Sequence, residues 1–213
     1  MRNSIILFAA GLTIAGAAAA NETRELKPFD RIETSRGVEV TLLCGGSPKA
    51  VLQGSAEDIA DLEVMVEGHA LIVRRASMWG NNHRHARVEV TAGQPLEKLE
   101  ASSGSEVRAQ ACAFSTDHLD LSGSSGAEVR LAANTGRLTI DADSGASVAP
   151  ISGGRIDARD AKISVNSGAS VKVCAVGHLS GRASTGGNIT TENDPSGEFH
   201  ANSGGNISTR SCM

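Results

Sequence analysis

Met78-Trp-Gly-Asn-Asn-His-Arg-His-Ala86 holds the chain's single Trp and two of its six His. His83 and His85 stand two residues apart, the spacing that turns two imidazoles to one side of a strand. A metal site needs three or four ligands, and this stretch contains no carboxylate. It therefore reads as a polar hairpin loop in which Trp79 covers an apolar edge. Trp79, His83 and His85 are candidate contacts for a partner protein or a sugar ring, because aromatic side chains are frequent interface hot spots.

A second group is acidic: Asp141, Asp143, Asp157 and Asp160. Such carboxylates could bind a cation or perform acid/base work on a polysaccharide. Paired glycosidase carboxylates must face each other at a defined separation, and nothing in this spacing imposes one. A solvated outer face is the expectation. A third group is basic: Arg108, Arg130 and Lys172 each follow an inward Val and would align as an interrupted stripe, with Ala149 as the gap, which makes them candidate contacts for an acidic surface sugar, against the plainer expectation of a charge-balanced, solvated face. Glu106 and Glu128 lie two residues earlier and are placed to pair with the arginines. Leu121-Ser-Gly-Ser-Ser-Gly126 lacks the Lys and following helix of a phosphate loop, and Ser122 and Ser124 have no His at a recognisable triad spacing. The sequence thus predicts no catalytic, cofactor-binding or metal-ligating residue.

Composition narrows the partners. The formal charge is −4 and aromatics make up 2 % of the 213 residues. A weakly acidic chain has no bulk attraction for nucleic acid or anionic lipid, and so few aromatics supply no platform for stacked bases. Arg2 precedes an apolar run from Ile5 that closes in Ala17-Ala18-Ala19-Ala20. That order reads as a secretory signal peptide over residues 1–20, too short for a retained span. Export would place Cys44, Cys112, Cys174 and Cys212 in an oxidising compartment, where four Cys allow three pairings and sequence does not choose among them.

The elements that must position these groups repeat. Ser102-Ser-Gly-Ser-Glu-Val107, Ser124-Ser-Gly-Ala-Glu-Val129, Asp143-Ser-Gly-Ala-Ser-Val148, Asn166-Ser-Gly-Ala-Ser-Val171, Ser184-Thr-Gly-Gly-Asn-Ile189 and Asn202-Ser-Gly-Gly-Asn-Ile207 share one grammar. Their central residues Gly104, Gly126, Gly145, Gly168, Gly186 and Gly204 are 22, 19, 23, 18 and 18 apart. Repeats near 20 residues indicate a solenoid. Thr34-Ser-Arg-Gly-Val-Glu-Val40 is a degenerate earlier copy. Period-two segments flank each glycine, such as Leu138-x-Ile140-x-Ala142 before and Val171-x-Val173 after, which is strand alternation with one face buried. The glycines are structural corners that supply φ > 0. Asn188 and Asn206 would form a short amide ladder.

The predicted fold is all-β: a right-handed parallel β-helix or β-solenoid of about six short coils with an N-terminal β cap. At ~4.8 Å per coil the rod would be roughly 30 Å long. Residues 28–95 supply the strands of the cap, with a hairpin or tight turn at Val66–Leu71, and residues 96–210 supply the Ser-Gly coils. The extra residues between Val148 and Val171 fit an outward loop within Ile151–Asp160. Nothing after Ile207 reads as a second cap. The last coil is left to Ser211–Met213, to a partner subunit, or bare, so oligomerisation through an exposed end coil is an open route.

Phe29-Asp-Arg-Ile32, Gly37-Val-Glu-Val40, Leu71-Ile-Val73, Val88-Glu-Val90, Leu96-x-x-Leu99 and the repeated Ser-Gly-x-x-Val and Gly-Gly-Asn-Ile units resemble the bacterial head GIN domain family of auto-transporter adhesins (DUF2807) over residues 28–210. The resemblance implies an exported, repetitive β-helix-like fold and an adhesive role, and it brings no catalytic residue set. The four Cys and the insert near residue 80 depart from the family pattern.

The functional expectation is an exported, non-enzymatic module without cofactors, in the periplasm, on the outer surface or outside the cell. Its Ser/Thr/Asn-rich surface would meet an envelope protein or a glycan, with no nucleic acid and no membrane span after leader removal. The alternative is a β-helix that binds or cleaves a polysaccharide through the outward acids near residues 141–160.

Overall fold

In a computed structural model, residues 20–77 and 87–212 are described. The leader-like segment up to residue 19 and the Trp79/His83/His85 insert lie outside them. The alternating segments form strands. The first part of the chain makes β1 (Ala20–Glu25), β2 (Arg31–Ser35), β3 (Glu39–Leu43), β4 (Lys49–Gly54), α1 (Ala56–Ala60), β5 (Leu62–Glu67), β6 (Ala70–Arg75) and β7 (Arg87–Thr91). The middle makes β8 (Lys98–Ala101), β9 (Glu106–Ala109), β10 (His118–Gly123), β11 (Glu128–Leu131), β12 (Ala133–Ala142) and β13 (Ser147–Pro150). The last part makes β14 (Ile156–Val165), β15 (Ser170–Lys172), β16 (Val176–Ala183), β17 (Asn188–Thr191), β18 (Ser196–Ala201) and β19 (Asn206–Thr209).

These strands build two facing sheets, ordered β1-β4-β7-β3-β9-β11-β13-β15-β17-β19 and β18-β16-β14-β12-β10-β8-β2-β6-β5. We call them sheet A and sheet B. Pairing is parallel throughout, except at the N-terminal end, where β1–β4, β4–β7 and β5–β6 are antiparallel. The architecture is the expected β-solenoid with an N-terminal β cap. It winds about five turns, close to the six expected.

Two aliphatic columns hold the sheets together. On sheet B, Leu71, Ile32, Leu99, Leu121, Ile140 and Ile163 stack in register. On sheet A, Val88, Val40, Val107, Val129, Val148, Val171 and Ile189 do the same. All are essentially inaccessible to solvent, and each such side chain contributes about 1.5–3 kcal/mol of burial. The columns are filled by aliphatic side chains, and the two buried aromatics, Phe29 and Phe114, lie outside them.

The corners are tighter than the sequence indicates. In each, the residue before the glycine is left-handed too: Ser103, Ser125, Ser144, Ser167, Thr185 and Ser203 have φ between 48 and 52°. The N–H two positions before the inward Val returns to the carbonyl that opens the turn, as Ala127 N does to Ser124 O at 3.1 Å. Two consecutive positive φ values closed by an i→i+3 bond make a type I′ turn. Arg36 and Gly37 repeat it at φ 61 and 69°, so the degenerate copy is a seventh stacked corner.

The N-terminal region departs from simple winding. The β2–β3 coil lies between β6–β7, which follow it in sequence, and β8–β9. Val66–Leu71 is a hairpin turned by Gly68 and His69. The loop in the Ile151–Asp160 segment is confined to its first half, because Ile156 onward belongs to β14. A one-turn helix, α1, interrupts the all-β pattern, started by a capping box between Ser55 and Asp58. Among the described residues no helix is long and apolar enough to cross a membrane.

Candidate functional site

Parallel stacking turns every outward position into a row. On sheet A one row runs Arg87, Glu39, Glu106, Glu128, Ser147, Ser170, Asn188, Asn206, and the next runs Glu89, Thr41, Arg108, Arg130, Ala149, Lys172, Thr190, Ser208. Arg108, Arg130 and Lys172 thus share a row, with Ala149 between them. The two arginines are not free to attract an acidic ligand. Arg108 Nη1 lies 2.6 Å from Glu39 Oε1 and also bonds Glu106, while Arg130 Nε lies 2.7 Å from Glu128. Arg87 joins Glu39 at 2.9 Å. Surface pairs of this kind contribute about 0–1 kcal/mol each and leave the charge locally balanced. Lys172 has no ion-pair partner among the described residues. Beyond it the rows are uncharged, and Asn206 Nδ2 donates to Asn188 Oδ1 at 2.9 Å.

Sheet B carries a shallow groove of about 200 Å³ lined by Glu33, Ser35, Arg74, Glu100, Ser122 and Ser124. Arg74 is engaged by Glu63 at 2.6 Å, and Glu100 by Lys98. The groove is smaller than typical small-molecule sites, which begin at about 300 Å³. A similar hollow of about 190 Å³ lies beside Cys44 and Cys112.

The acids do not converge. Asp141 registers with Ser164, and Asp160 with Arg137 four residues away along β12, so they are roughly 13 Å apart. Asp157 accepts from Arg155 and from the Ala175 N–H, and Asp160 accepts from Arg159 at 2.9 Å. Stacking also creates a row that sequence spacing hid, in which Asp160, His178 and Ser196 are neighbours. These are the residue types of a hydrolytic triad. Ser196 Oγ lies 3.3 Å from His178 Nδ1, but it also donates to Gly177 O at 3.1 Å, and Asp160 is held by Arg159 rather than by the imidazole. The geometry of a nucleophile, base and orienter is not assembled.

All four thiols are consumed in Cys44–Cys112 and Cys174–Cys212 disulfides. The second lies beside Glu192, the only His/Cys/Asp/Glu grouping of metal-site tightness among the described residues, and its sulfurs are bonded to each other. Arg155 Nη2 donates to Glu192 at 2.5 Å. That hydrogen bond, aided by the Cys212 N–H, holds the Glu192 carboxyl below its ordinary range against a smaller opposing effect of desolvation.

The far end of the rod is open. Every residue of β18 is exposed. Phe199, on the inward side above Gly181, is 45 % exposed. The sequence left three fates for this coil, and the described tail does not bury it.

Among solved structures, a putative adhesin from Bacteroides fragilis NCTC 9343 matches with a TM-score of 0.67 at 12 % identity, over 92 % of this chain and 98 % of that one. A putative adhesin from Parabacteroides merdae ATCC 43184 matches with a TM-score of 0.54 at 11 % identity, over 90 % and 96 %. A putative lipid binding protein from Parabacteroides distasonis ATCC 8503 matches with a TM-score of 0.51 at 13 % identity, over 90 % and 96 %. At such identities the likeness is one of fold. No protein of curated function matches the chain. The model of the family described as "Putative auto-transporter adhesin, head GIN domain" (DUF2807) matches residues 28–195, and the chain belongs to that family.

Proposed function

We propose that the chain is an exported, non-enzymatic adhesion module that meets a cell-surface or envelope macromolecule across the flat outer face of sheet A. The observation that carries this reading is the polar half of that face, where Lys172 is the one charge in the two rows. There Ser147, Ser170, Asn188 and Asn206 repeat in register, with Lys172 and Ser208 in the row beside them. Such a surface offers hydrogen-bond donors and acceptors at a ~4.8 Å spacing, which suits a long polar ligand making many weak contacts. Export is supported by the leader-like residues 1–20 and by two disulfides, which persist in oxidising compartments. Cleavage after Ala20 would leave five residues of β1 paired with β4. Membership of an adhesin family and fold likeness to two putative adhesins agree with it.

A glycan array and binding to intact bacterial cells test the reading. The expected result is binding that drops at least tenfold in a Ser170→Arg/Asn188→Arg variant and persists in Glu33→Gln/Glu100→Gln. Binding indifferent to the first variant would overturn the assignment to sheet A. Release of new reducing ends from a polysaccharide would favour the cleaving alternative.

A further inference from the structure

We propose that the open C-terminal end of the rod is the interface of a two-fold symmetric dimer, in which β18 pairs antiparallel with β18 of a second copy and β19 with its β19. Both strands are terminal in their sheets and present unpaired backbone groups along one edge. Exposed edges of this sort template pairing with another chain unless blocked by Lys, Pro or a covering element. Neither Ser196–Ala201 nor Asn206–Thr209 contains Lys or Pro. The opposite end, by contrast, is closed by antiparallel β1, β4 and β5 and by α1.

Two features select a second copy as the occupant. First, the two strands share one symmetry centre. Phe199 stacks over Gly181 on sheet B. From sheet A, Ile207 Cδ1 reaches to 3.4 Å from where a Cβ on Gly181 would sit. Phe199 and Ile207 therefore face each other across the thin core. A single two-fold axis running between the two copies, level with both residues, would set Phe199 beside Phe199 and Ile207 beside Ile207 of the other copy, continuing both columns. Second, the flanking outward residues are self-complementary about that axis. Glu198 and His200 lie on the outer face, in register with Ser180 and Arg182. Antiparallel pairing centred on Phe199 sets each Glu198 opposite His200 of the other copy, joining a carboxylate to an imidazole twice. On β19 the pairs would be Asn206 with Ser208, with no like charges opposed.

Among the described residues nothing covers β18, every residue of which is exposed. β1 lies at the far edge of sheet A from β19, roughly 43 Å away at strand spacing.

Sedimentation of the purified protein at micromolar concentration tests the dimer. The wild type is expected at twice the chain mass, with Phe199→Glu monomeric. Should Phe199→Glu fail to fold, the outward pair carries the test. Glu198→Lys is expected to be monomeric with an unchanged circular dichroism spectrum, and Glu198→Lys/His200→Glu is expected to recover the dimer. A monomeric wild type would overturn the proposal. So would a dimer insensitive to Glu198→Lys, a double variant that stays monomeric, or open-ended oligomers, the mark of head-to-tail stacking.

Discussion

The backbone N–H of Gly126 donates to the carbonyl of Ser144, 3.0 Å away on the following coil. The link recurs from Gly37 to Ser103, Gly104 to Ser125, Gly145 to Ser167, Gly168 to Thr185 and Gly186 to Ser203. Each type I′ corner is thus closed within itself and sewn to the next. The left-handed serine is what turns its carbonyl toward the neighbouring glycine. A strained residue costs about 1–2 kcal/mol, and this seam offsets part of that cost.

At Gly145 a Cβ would meet nothing within 4 Å, and φ is +75°. Any penalty for a side chain there is therefore backbone strain and not a clash. Gly145→Ala should destabilise the rod by about 1–2 kcal/mol, and Gly145→Asn by less, since Asn tolerates the left-handed region. The reverse holds at Thr185, a β-branched residue at φ 50°, where Thr185→Asn should raise stability. Urea midpoints of the three variants check the order. Equal losses for Ala and Asn at position 145 would count against strain as the cause.

Ile140 is fully buried between Leu121 and Ile163 in the sheet B column. Ile140→Ala removes three carbons from a stack that cannot close laterally, and should cost about 2–5 kcal/mol. Asp141, one residue on, points outward, and Asp141→Ala should fall within about 0.5 kcal/mol of wild type. Comparable losses at both positions, read by thermal unfolding, would contradict the alternation.

Glycine spacing and period-two alternation revealed the stack because both are local consequences of a strand that turns every coil. They could not reveal what depends on chain order. Nothing in Thr34–Val40 signals that β2–β3 would be inserted between β6–β7 and β8–β9, since all these strands are equally aliphatic. The Ser55/Asp58 capping box was visible in principle, but five residues are too few to show helical period. The outward rows were partly readable: Arg108 and Arg130 align as their shared position implies, and Glu128 pairs with Arg130, whereas Glu39, which neutralises Arg108, comes from a coil about 70 residues earlier. The neighbours Asp160, His178 and Ser196 emerge only when coils of unequal length are stacked. Disulfide pairing likewise needed coordinates, because each bond spans more than one turn.

Cys212 ties the tail to Cys174, closing 38 residues of separation that include β18 and β19. A crosslink of that span is worth up to about 4 kcal/mol in a chain-entropy account. A solenoid can lose its terminal coil without unfolding elsewhere. Cys174→Ala/Cys212→Ser should therefore abolish amide-exchange protection in β18 and β19 while leaving β8 to β12 unchanged. Uniform loss along the rod would show that the terminal coil is not a separable unit.

The same corner gives the molecule an acid sensitivity. Arg155 and the Cys212 N–H hold the Glu192 carboxyl below its ordinary value of 4.5 in the folded chain. A carboxyl depressed by folding contributes stability that is present above about pH 4.5 and is lost as pH falls through the lower, folded value. Glu192 and Arg155 are 27 % and 44 % exposed, so solvent screening keeps the effect small. Wild type should therefore lose stability between neutral pH and pH 3 by more than Glu192→Gln does, with the difference fading once both carboxyl states are protonated. Urea midpoints for the two proteins at pH 7, 5, 4 and 3 measure this. Parallel curves would mean that the Arg155–Glu192 bond contributes nothing to anchoring the terminal corner.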